Sequence, residues 1–174
     1  MPSLLSNLFK THLSHFRAAI LANNTNRICR ILDVKRHYIN KQIDSAGNTA
    51  LLFAIKYASP LTVELLLQQG AQPDQPNFIT IQTPLSLLAS RIYDADQAYQ
   101  AKLDLEMAIL LLDHDAYVEK SSPFKFFAEE EKECIMYETP LMTAVRVRNL
   151  AMATLLVDRE ANVNCAEKHS RNRP

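Results

Sequence analysis

Apolar residues recur along the chain every three or four positions, which is the spacing of helices that bury one face. The clearest instance is residues 44–74, where residues 50–55 form a short apolar run and residues 61–69 a second helical segment. A Ser-Pro step separates the two segments. Gly70 ends the second one, because glycine adopts the left-handed conformation of a helix terminus without a steric cost. The pattern predicts a turn followed by two short helices.

Related helix pairs are predicted on both sides of this central unit. Residues 12–23 and 27–34 predict an earlier pair, which lacks the Thr-Pro-Leu tripeptide found further along the chain. That tripeptide begins at Thr83, 34 residues after Thr49, and again at Thr139. Proline suits the first turn of a helix, where its missing N–H is not needed. The chain therefore predicts about four helix pairs.

Two insertions lengthen the third pair. Thr83 lies 33 residues before Ala116, against 22 residues for the matching interval of the central unit, and residues 90–102 hold the excess. Ala116 lies 23 residues before Thr139, against 12 in the central unit, and residues 120–133 hold the second excess. Phenylalanines beside a run of glutamates, as in the second insertion, are unusual for a loop without a function.

The turn, the Thr-Pro-Leu opening and the glycine after the second helix resemble the ankyrin repeat. That family repeats a β-turn, Thr-Pro-Leu-His-x-Ala and two antiparallel helices about every 33 residues. Ala50 and Leu52 depart from the pattern, standing where the family has Pro and His. The resemblance implies an all-α fold, an ankyrin-repeat solenoid of about four helix-turn-helix units with short β-turn tips. The central unit agrees with the pattern at Asp44, Gly47, Thr49, Leu51, Ala54, Val63, Leu66, Leu67, Gly70 and Ala71.

The resemblance also implies that residues 1–174 form a single ankyrin-repeat domain. Its first unit would be degenerate, as expected for an end-capping repeat. The expected parts are a leader at 1–11, a degenerate N-terminal capping repeat at 12–43, a repeat at 44–77, a repeat with two insertions at 78–133, a repeat at 134–166, and a tail or the start of a further repeat at 167–174.

Glycine is missing from several positions where the pattern has it. Asp115 and Glu160 stand where the central unit has Gly70, and we expect those helix ends to be distorted at a cost of about 1 kcal/mol each. Ile81 and Tyr137 stand at the turn position of Gly47, so the resemblance leaves the geometry of those two turns open.

Composition places the chain among globular proteins, with 48% hydrophobic and 22% charged residues. No apolar run approaches the roughly 20 residues of a membrane-spanning helix. The N-terminus lacks the basic start and the long apolar core of a secretory signal. Three widely spaced cysteines, Cys29, Cys134 and Cys165, predict reduced thiols and a cytoplasmic, reducing location.

The net charge is zero, but the charges are unevenly distributed. Residues 1–43 hold seven Lys or Arg and one acidic residue, whereas residues 44–164 hold nine basic and seventeen acidic residues. A basic start and an acidic body can orient an approaching partner. An acidic body would repel phosphate, so we expect no nucleic-acid binding by it.

The sequence contains no motif of a known catalytic site. It has no glycine-rich phosphate loop, no Gly-x-Ser-x-Gly and no Cys-x-x-Cys. His12 and His15 lie one helical turn apart, but a metal site would need further ligands. Residues 113–115 (Asp-His-Asp) are adjacent at a helix end, where neighbouring side chains point apart. We therefore expect no enzyme activity, no cofactor and no metal.

The resemblance implies a monomeric protein–protein interaction module that recognises another protein through its concave face and turn tips. The candidate turn residues, carried over position by position, are Ser45, Ala46, Asn48, Ile79, Thr80, Gln82, Ile135, Met136 and Glu138. The candidate first-helix residues are Lys56, Tyr57, Ser90, Arg91, Arg146 and Val147. The insertions add Tyr93, Tyr99, Phe124, Phe126 and Phe127.

Two further hypotheses remain open. The chain could be the substrate-targeting N-terminal portion of a larger enzyme, such as a secreted bacterial effector acting on host proteins in the host cytosol. Sparse glycine, irregular insertions and a last repeat without a following Thr-Pro-Leu motivate this alternative. A third hypothesis is a competitive inhibitor that mimics a host ankyrin regulator and meets a basic segment of its partner.

Overall fold

The computed structural model describes the backbone of residues 4–127, 133–164 and 168–169, and the side chains of residues 12–94, 96–124 and 135–164. The helices in this part of the chain are α1 (Leu4–Leu21), α2 (Thr25–Val34), α3 (Ala50–Tyr57), α4 (Pro60–Gln68), α5 (Pro84–Ala89), α6 (Ala98–Asp113), α7 (Pro140–Arg146) and α8 (Leu150–Asp158), with 3-10 turns at Arg36–Tyr38 and Ala95–Gln97. The strands are β1 (Ser122–Phe127), β2 (Glu133–Glu138) and β3 (Lys168–His169).

A threonine begins the first helix of each of the last three pairs. The hydroxyls of Thr49, Thr83 and Thr139 accept hydrogen bonds from the backbone N–H three residues later, at 3.2, 3.3 and 3.3 Å. These bonds satisfy N–H groups that the helix itself leaves unpaired. Pro84 and Pro140 follow at the first helical position, where no N–H is required. The Thr-Pro-Leu tripeptide is therefore a helix-start signal.

The second helices of the last three pairs end in the same left-handed conformation whether or not glycine is present. Gly70, Asp115 and Glu160 have φ values of 91°, 64° and 65°. In each case the next N–H bonds back to a carbonyl five residues earlier, at 2.9 to 3.0 Å. Our expectation of distorted helix ends at Asp115 and Glu160 is wrong, because the closing hydrogen bonds hold these residues in the glycine-like conformation.

The helices pair in chain order and each pair contacts the next. Within pairs, α1 contacts α2, α3 contacts α4, α5 contacts α6 and α7 contacts α8. Between pairs, α1, α3, α5 and α7 contact one another in sequence, and α6 contacts both α4 and α8. Their buried apolar side chains form one cluster that includes residues of all four pairs. This is a helical repeat fold, in which neighbouring units bury what a single pair would expose.

The insertions add to this fold in two ways. Much of the first one extends a helix, because α6 begins at Ala98 and not at the predicted residue 103. The second lies in an antiparallel β1–β2 hairpin, with Ser122 opposite Glu138 and Phe127 opposite Glu133. β3 pairs with β2 at Met136 and Tyr137. The expectation of an all-α fold with short tips is therefore incomplete, since one tip is a strand pair.

The N-terminal helix is longer than its sequence pattern predicts. α1 begins at Leu4, within the expected leader, and covers 18 residues. Among the helices that the structure describes, none combines the length and the apolar character required to cross a bilayer.

The left-handed helix end at Glu160 gives a stability prediction. Glu160→Gly should raise the free energy of unfolding by about 0.5 kcal/mol, because relief of the left-handed strain outweighs the added flexibility of glycine in the unfolded chain. The measurement is urea denaturation followed by circular dichroism. Ala153→Gly, inside α8, is the control and should lower the same quantity by about 1 kcal/mol. A loss of stability in Glu160→Gly would contradict the presence of left-handed strain at Glu160.

Candidate functional site

Hydrogen bonds between neighbouring turns fix the position of the tips. The Asp44 carboxylate accepts from the Asn48 backbone N–H at 2.8 Å and from its Nδ2 at 2.7 Å. Asn48 Oδ1 in turn accepts from Lys56 Nζ and from Asn77 Nδ2, both at 3.0 Å. Asn48 is 0% exposed. Its selection as a partner-contacting residue is wrong, because its side chain is used in joining one turn to the next.

Asn77 continues this connection into the third unit. Its Nδ2 also donates to the Ala46 carbonyl at 3.0 Å, and its Oδ1 accepts from the N–H groups of Ile79 and Thr80 at 2.8 Å. Gly47 lies against it with φ 81°, and a Cβ there would lie 2.7 Å from Asn77 Oδ1. Glycine is required at this position both for the backbone conformation and for the close approach. Asn77 was missed because its partners lie some 30 residues earlier.

The two turns that lack this glycine differ from each other. Ile81 keeps the left-handed conformation, with φ 57°, and exposes its side chain. Tyr137 lies within β2 and is exposed. One turn therefore keeps its backbone geometry without glycine, and the other is replaced by a strand.

A buried carboxylate organises the first insertion. Asp104 of α6 is 0% exposed and accepts from Arg91 Nη1 at 2.5 Å, from the Tyr93 hydroxyl at 2.6 Å and from Gln100 Nε2 at 2.9 Å. Arg91 Nη2 also donates to the Ile55 carbonyl at 2.8 Å. Burial, and after it the hydrogen bond to Asp104, raises the pKa of Tyr93, so its hydroxyl stays a proton donor.

This cluster corrects two of the predicted contact residues and adds another. Arg91 and Tyr93 are directed to Asp104, so they hold the insertion in place and are not free to bind a partner. Ile92 lies between them and is 72% exposed. Asp104 shares a helical face with buried Met107, Ala108 and Leu111, at positions i+3, i+4 and i+7. That spacing is the signal by which a buried carboxylate could have been found.

The side chains around Ile92 form a groove of about 290 Å³ between α5, the β1–β2 hairpin and α7. Ser122 fixes the hairpin to the start of α5, because its hydroxyl accepts from the Thr83 N–H at 3.0 Å. Six predicted contact residues line this groove: Gln82, Ser90, Phe124, Glu138, Arg146 and Val147. The other lining residues, which were not predicted, are Ser86, Ile92, Ser122, Pro123 and Thr143.

One cation is held in place within the groove. The Arg146 guanidinium lies 3.8 Å from the centre of the Phe124 ring, and its Nε donates to Glu138 Oε1 at 2.8 Å. Glu138 is buried and also accepts from the Thr143 hydroxyl at 3.1 Å. Among the described residues, no hydrogen-bond partner is found for the Nη groups of Arg146. Arg146 therefore presents donors from a fixed position, whereas Glu138 is a buried support and not a surface contact.

The remaining predicted residues lie outside this groove. Lys56 is half-buried, and its Nζ donates to Asn48. Met136 is half-buried as well, although its neighbours in β2, Ile135 and Tyr137, are exposed. Phe126 and Phe127 belong to β1 by their backbone, and their side chains lie outside the described residues. The exposed members are Ser45, Ala46, Ile79, Thr80, Ile135, Tyr57 at the end of α3 and Tyr99 on α6.

The tips expose further apolar side chains that the position-by-position prediction missed. Each of them is adjacent in the chain to a predicted position, so a prediction that included the neighbouring residues would have found them. These side chains belong to Phe78, Ile81 and Tyr137, and Val145 on α7 is exposed as well.

A larger groove, of about 680 Å³, lies on the far side of α7 and α8. Its apolar lining includes Leu141, Leu150 and Val157. In the preceding units the equivalent face is covered by the next helix pair. The repeat pattern therefore explains this apolar surface without a ligand.

Metal binding finds no support in the part of the chain that the structure describes. No group of three or more His, Cys, Asp or Glu side chains there is placed to hold an ion.

A comparison with known protein families identifies two of the helix pairs as repeats. The ankyrin repeat family model matches residues 46–78 and residues 136–168. The first match covers α3 and α4, and the second covers α7 and α8. No curated protein matches the chain.

The cluster around Asp104 gives the prediction for this site. Asp104→Ala should lower the free energy of unfolding by about 3 kcal/mol, because it leaves Arg91 and Tyr93 without their buried acceptor. Glu106→Ala, on an exposed position of the same helix, should change it by less than about 0.5 kcal/mol. Urea denaturation of both variants makes the comparison, and equal losses would show that Asp104 does not organise the insertion.

Proposed function

The chain is an ankyrin-repeat protein, and from that premise we propose that it is a protein–protein interaction module. Ankyrin repeats are generally binding modules for other proteins. The binding region proposed here is the groove between α5, the β1–β2 hairpin and α7. We further propose that the repeats form a solenoid and that the module acts as a monomer without catalytic activity.

The observation that carries this proposal is the fixed arrangement of Arg146, Phe124 and Ile92. Aromatic and arginine side chains are enriched among residues that dominate binding energy. Arg146 is already stacked on Phe124 and oriented by Glu138, so little side-chain entropy remains to be lost on binding. Ile92 adds exposed apolar area, and its loop is held by the Asp104 cluster.

The lining of the groove indicates what kind of segment it fits. Its volume of about 290 Å³ accommodates one or two side chains. Ile92, Pro123 and Val147 suit an apolar side chain, while the Arg146 Nη groups suit a carbonyl or carboxylate acceptor. We propose that the partner presents an exposed apolar side chain next to such an acceptor. The acidic body of the chain supports a protein partner over nucleic acid.

The two other hypotheses from the sequence, a targeting portion of an enzyme and an inhibitor, stay predictions. A substrate-targeting portion of a larger enzyme would use the same groove to select its substrate, as would an inhibitor that mimics a host regulator. An intracellular, reducing location also stays a prediction. Both binding hypotheses therefore predict loss of the captured partner when residues of the groove are substituted.

The test uses the immobilised chain to capture its partner from cell lysate and measures the yield by quantitative mass spectrometry. Phe124→Ala and Arg146→Ala should each lower the yield of captured partner about tenfold, because both remove preorganised contacts. Tyr99→Ala and Arg159→Ala are matched controls, since they remove an exposed aromatic and an ion-paired arginine away from the groove. Circular dichroism checks that every variant stays folded.

The outcomes separate the groove from the rest of the surface. Loss of the same partner with both groove variants and its retention with both controls would support the proposal. Equal capture by folded groove variants and wild type would overturn it.

A further inference from the structure

A second charged surface lies at the opposite end of the array, between α1 and α2. It is a groove of about 320 Å³ formed by the first helix pair. Its lining combines basic and apolar side chains, and it contains no acidic residue. The lining residues are His12, His15, Arg27, Arg30, Ile31, Val34, Lys35 and Tyr38.

The basic residues of this groove differ from three arginines of the body in their partners. Arg91, Arg146 and Arg159 of the body each pair with a carboxylate. Arg27 and Arg30 are exposed, and neither they nor half-buried Lys35 has an ion-pair partner among the described residues. Their positive charge is therefore available to a ligand.

Structural needs account for the nearby arginines outside the groove but not for those inside it. Arg17 donates to the Ile43 carbonyl at 3.1 Å and so links α1 to the following turn. Arg36 reaches the Gln69 carbonyl at 3.5 Å. Arg27 and Arg30 make no such side-chain bond in the described part of the chain. Repulsion between like charges without partners is unfavourable, and a bound anion would relieve it.

Apolar side chains run beside the charges on α2. Val34 is 77% exposed, and Ile31 is half-buried beside it. Arg27 and Ile31 are four residues apart, as are Arg30 and Val34, so each cation lies one turn from an apolar side chain on the same face. A ligand that follows α2 would meet Arg27 and Arg30 first and then Ile31 and Val34, with Lys35 at the end of the helix.

We propose that this groove binds an acidic amphipathic helix of a partner protein. Carboxylates of the partner would pair with Arg27, Arg30 and Lys35, and one apolar side chain would cover Ile31 and Val34. A common mode of peptide recognition is an amphipathic helix that lays one face over a groove and inserts side chains into it. An acidic helix would complement the charge of this end of the chain. Residues 1–43 hold seven Lys or Arg and a single acid, Asp33, which does not line the groove.

The same features favour a peptide over a nucleic acid. A nucleic acid needs a basic surface that follows several phosphates, whereas this groove offers Arg27, Arg30 and Lys35 and adjoins an acidic body. Exposed Val34 and Ile31 would have no role in phosphate binding. Nucleic-acid binding is therefore an outcome of the test that would overturn the proposal.

The test measures fluorescence anisotropy with the full chain and a labelled 16-residue helical peptide. The peptide carries glutamates and leucines on one face, and a second peptide has the same composition in scrambled order. A single-stranded oligonucleotide of equal length is the third probe. We expect the amphipathic peptide to bind at least tenfold more tightly than the other two, and more weakly as salt is raised.

Three variants locate the binding. Arg27→Glu combined with Arg30→Glu should weaken peptide binding at least tenfold, and Val34→Ser should weaken it severalfold. Lys102→Glu, an exposed charge reversal on α6, should leave it unchanged. All four changed side chains are exposed or half-buried, and circular dichroism checks their folding.

The results that would contradict peptide binding between α1 and α2 differ from those that would contradict binding at the groove between α5, the β1–β2 hairpin and α7. Unchanged peptide affinity in the double reversal, or equal binding of the scrambled peptide, would overturn the proposal. So would tighter binding of the oligonucleotide. Chemical-shift mapping on the wild type gives an independent check, since the peptide should perturb α1 and α2 and leave the Phe124–Arg146 groove unaffected.

Discussion

Each helix pair exposes an apolar face that only a neighbouring pair can cover, and the structure depends on the resulting stacking. Stacking requires that neighbouring helices begin and end in register. Threonine caps set the starts and left-handed residues set the ends. Asn77 then joins successive turns through Asn48 and the Ala46 carbonyl, while Gly47 permits their close approach.

The two insertions of the third unit form much of the groove between α5, the β1–β2 hairpin and α7. The buried Asp104 draws in Arg91 and Tyr93, which leaves Ile92 exposed between them. The hairpin brings Phe124 under the Arg146 guanidinium, and Glu138 holds that cation from the other strand. The regular units supply rigidity and Arg146, and the insertions supply Ile92 and Phe124 of the proposed binding region.

Local patterns were enough to predict the helix pairs, the Thr-Pro-Leu starts and the helix end at Gly70. They were not enough for Asn48 or Arg91, because burial there comes from partners 29 and 13 residues away. The hairpin was interpreted as an insertion, since one strand pair outside the repeat period carries no signal at the helical spacing. Six of the predicted contact residues nevertheless meet in one groove, because five of them follow family positions that face the same side and the hairpin adds Phe124.

The most direct test of the account is site-specific photo-crosslinking from the groove. Ile92→p-benzoylphenylalanine places a reactive group beside Arg146 and Phe124, and Tyr99→p-benzoylphenylalanine places the same group on α6. If the groove binds the partner, position 92 gives a protein adduct that position 99 does not give and that Arg146→Ala in the same chain abolishes. An adduct from position 99 alone, or one from position 92 that is insensitive to Arg146→Ala, would contradict it.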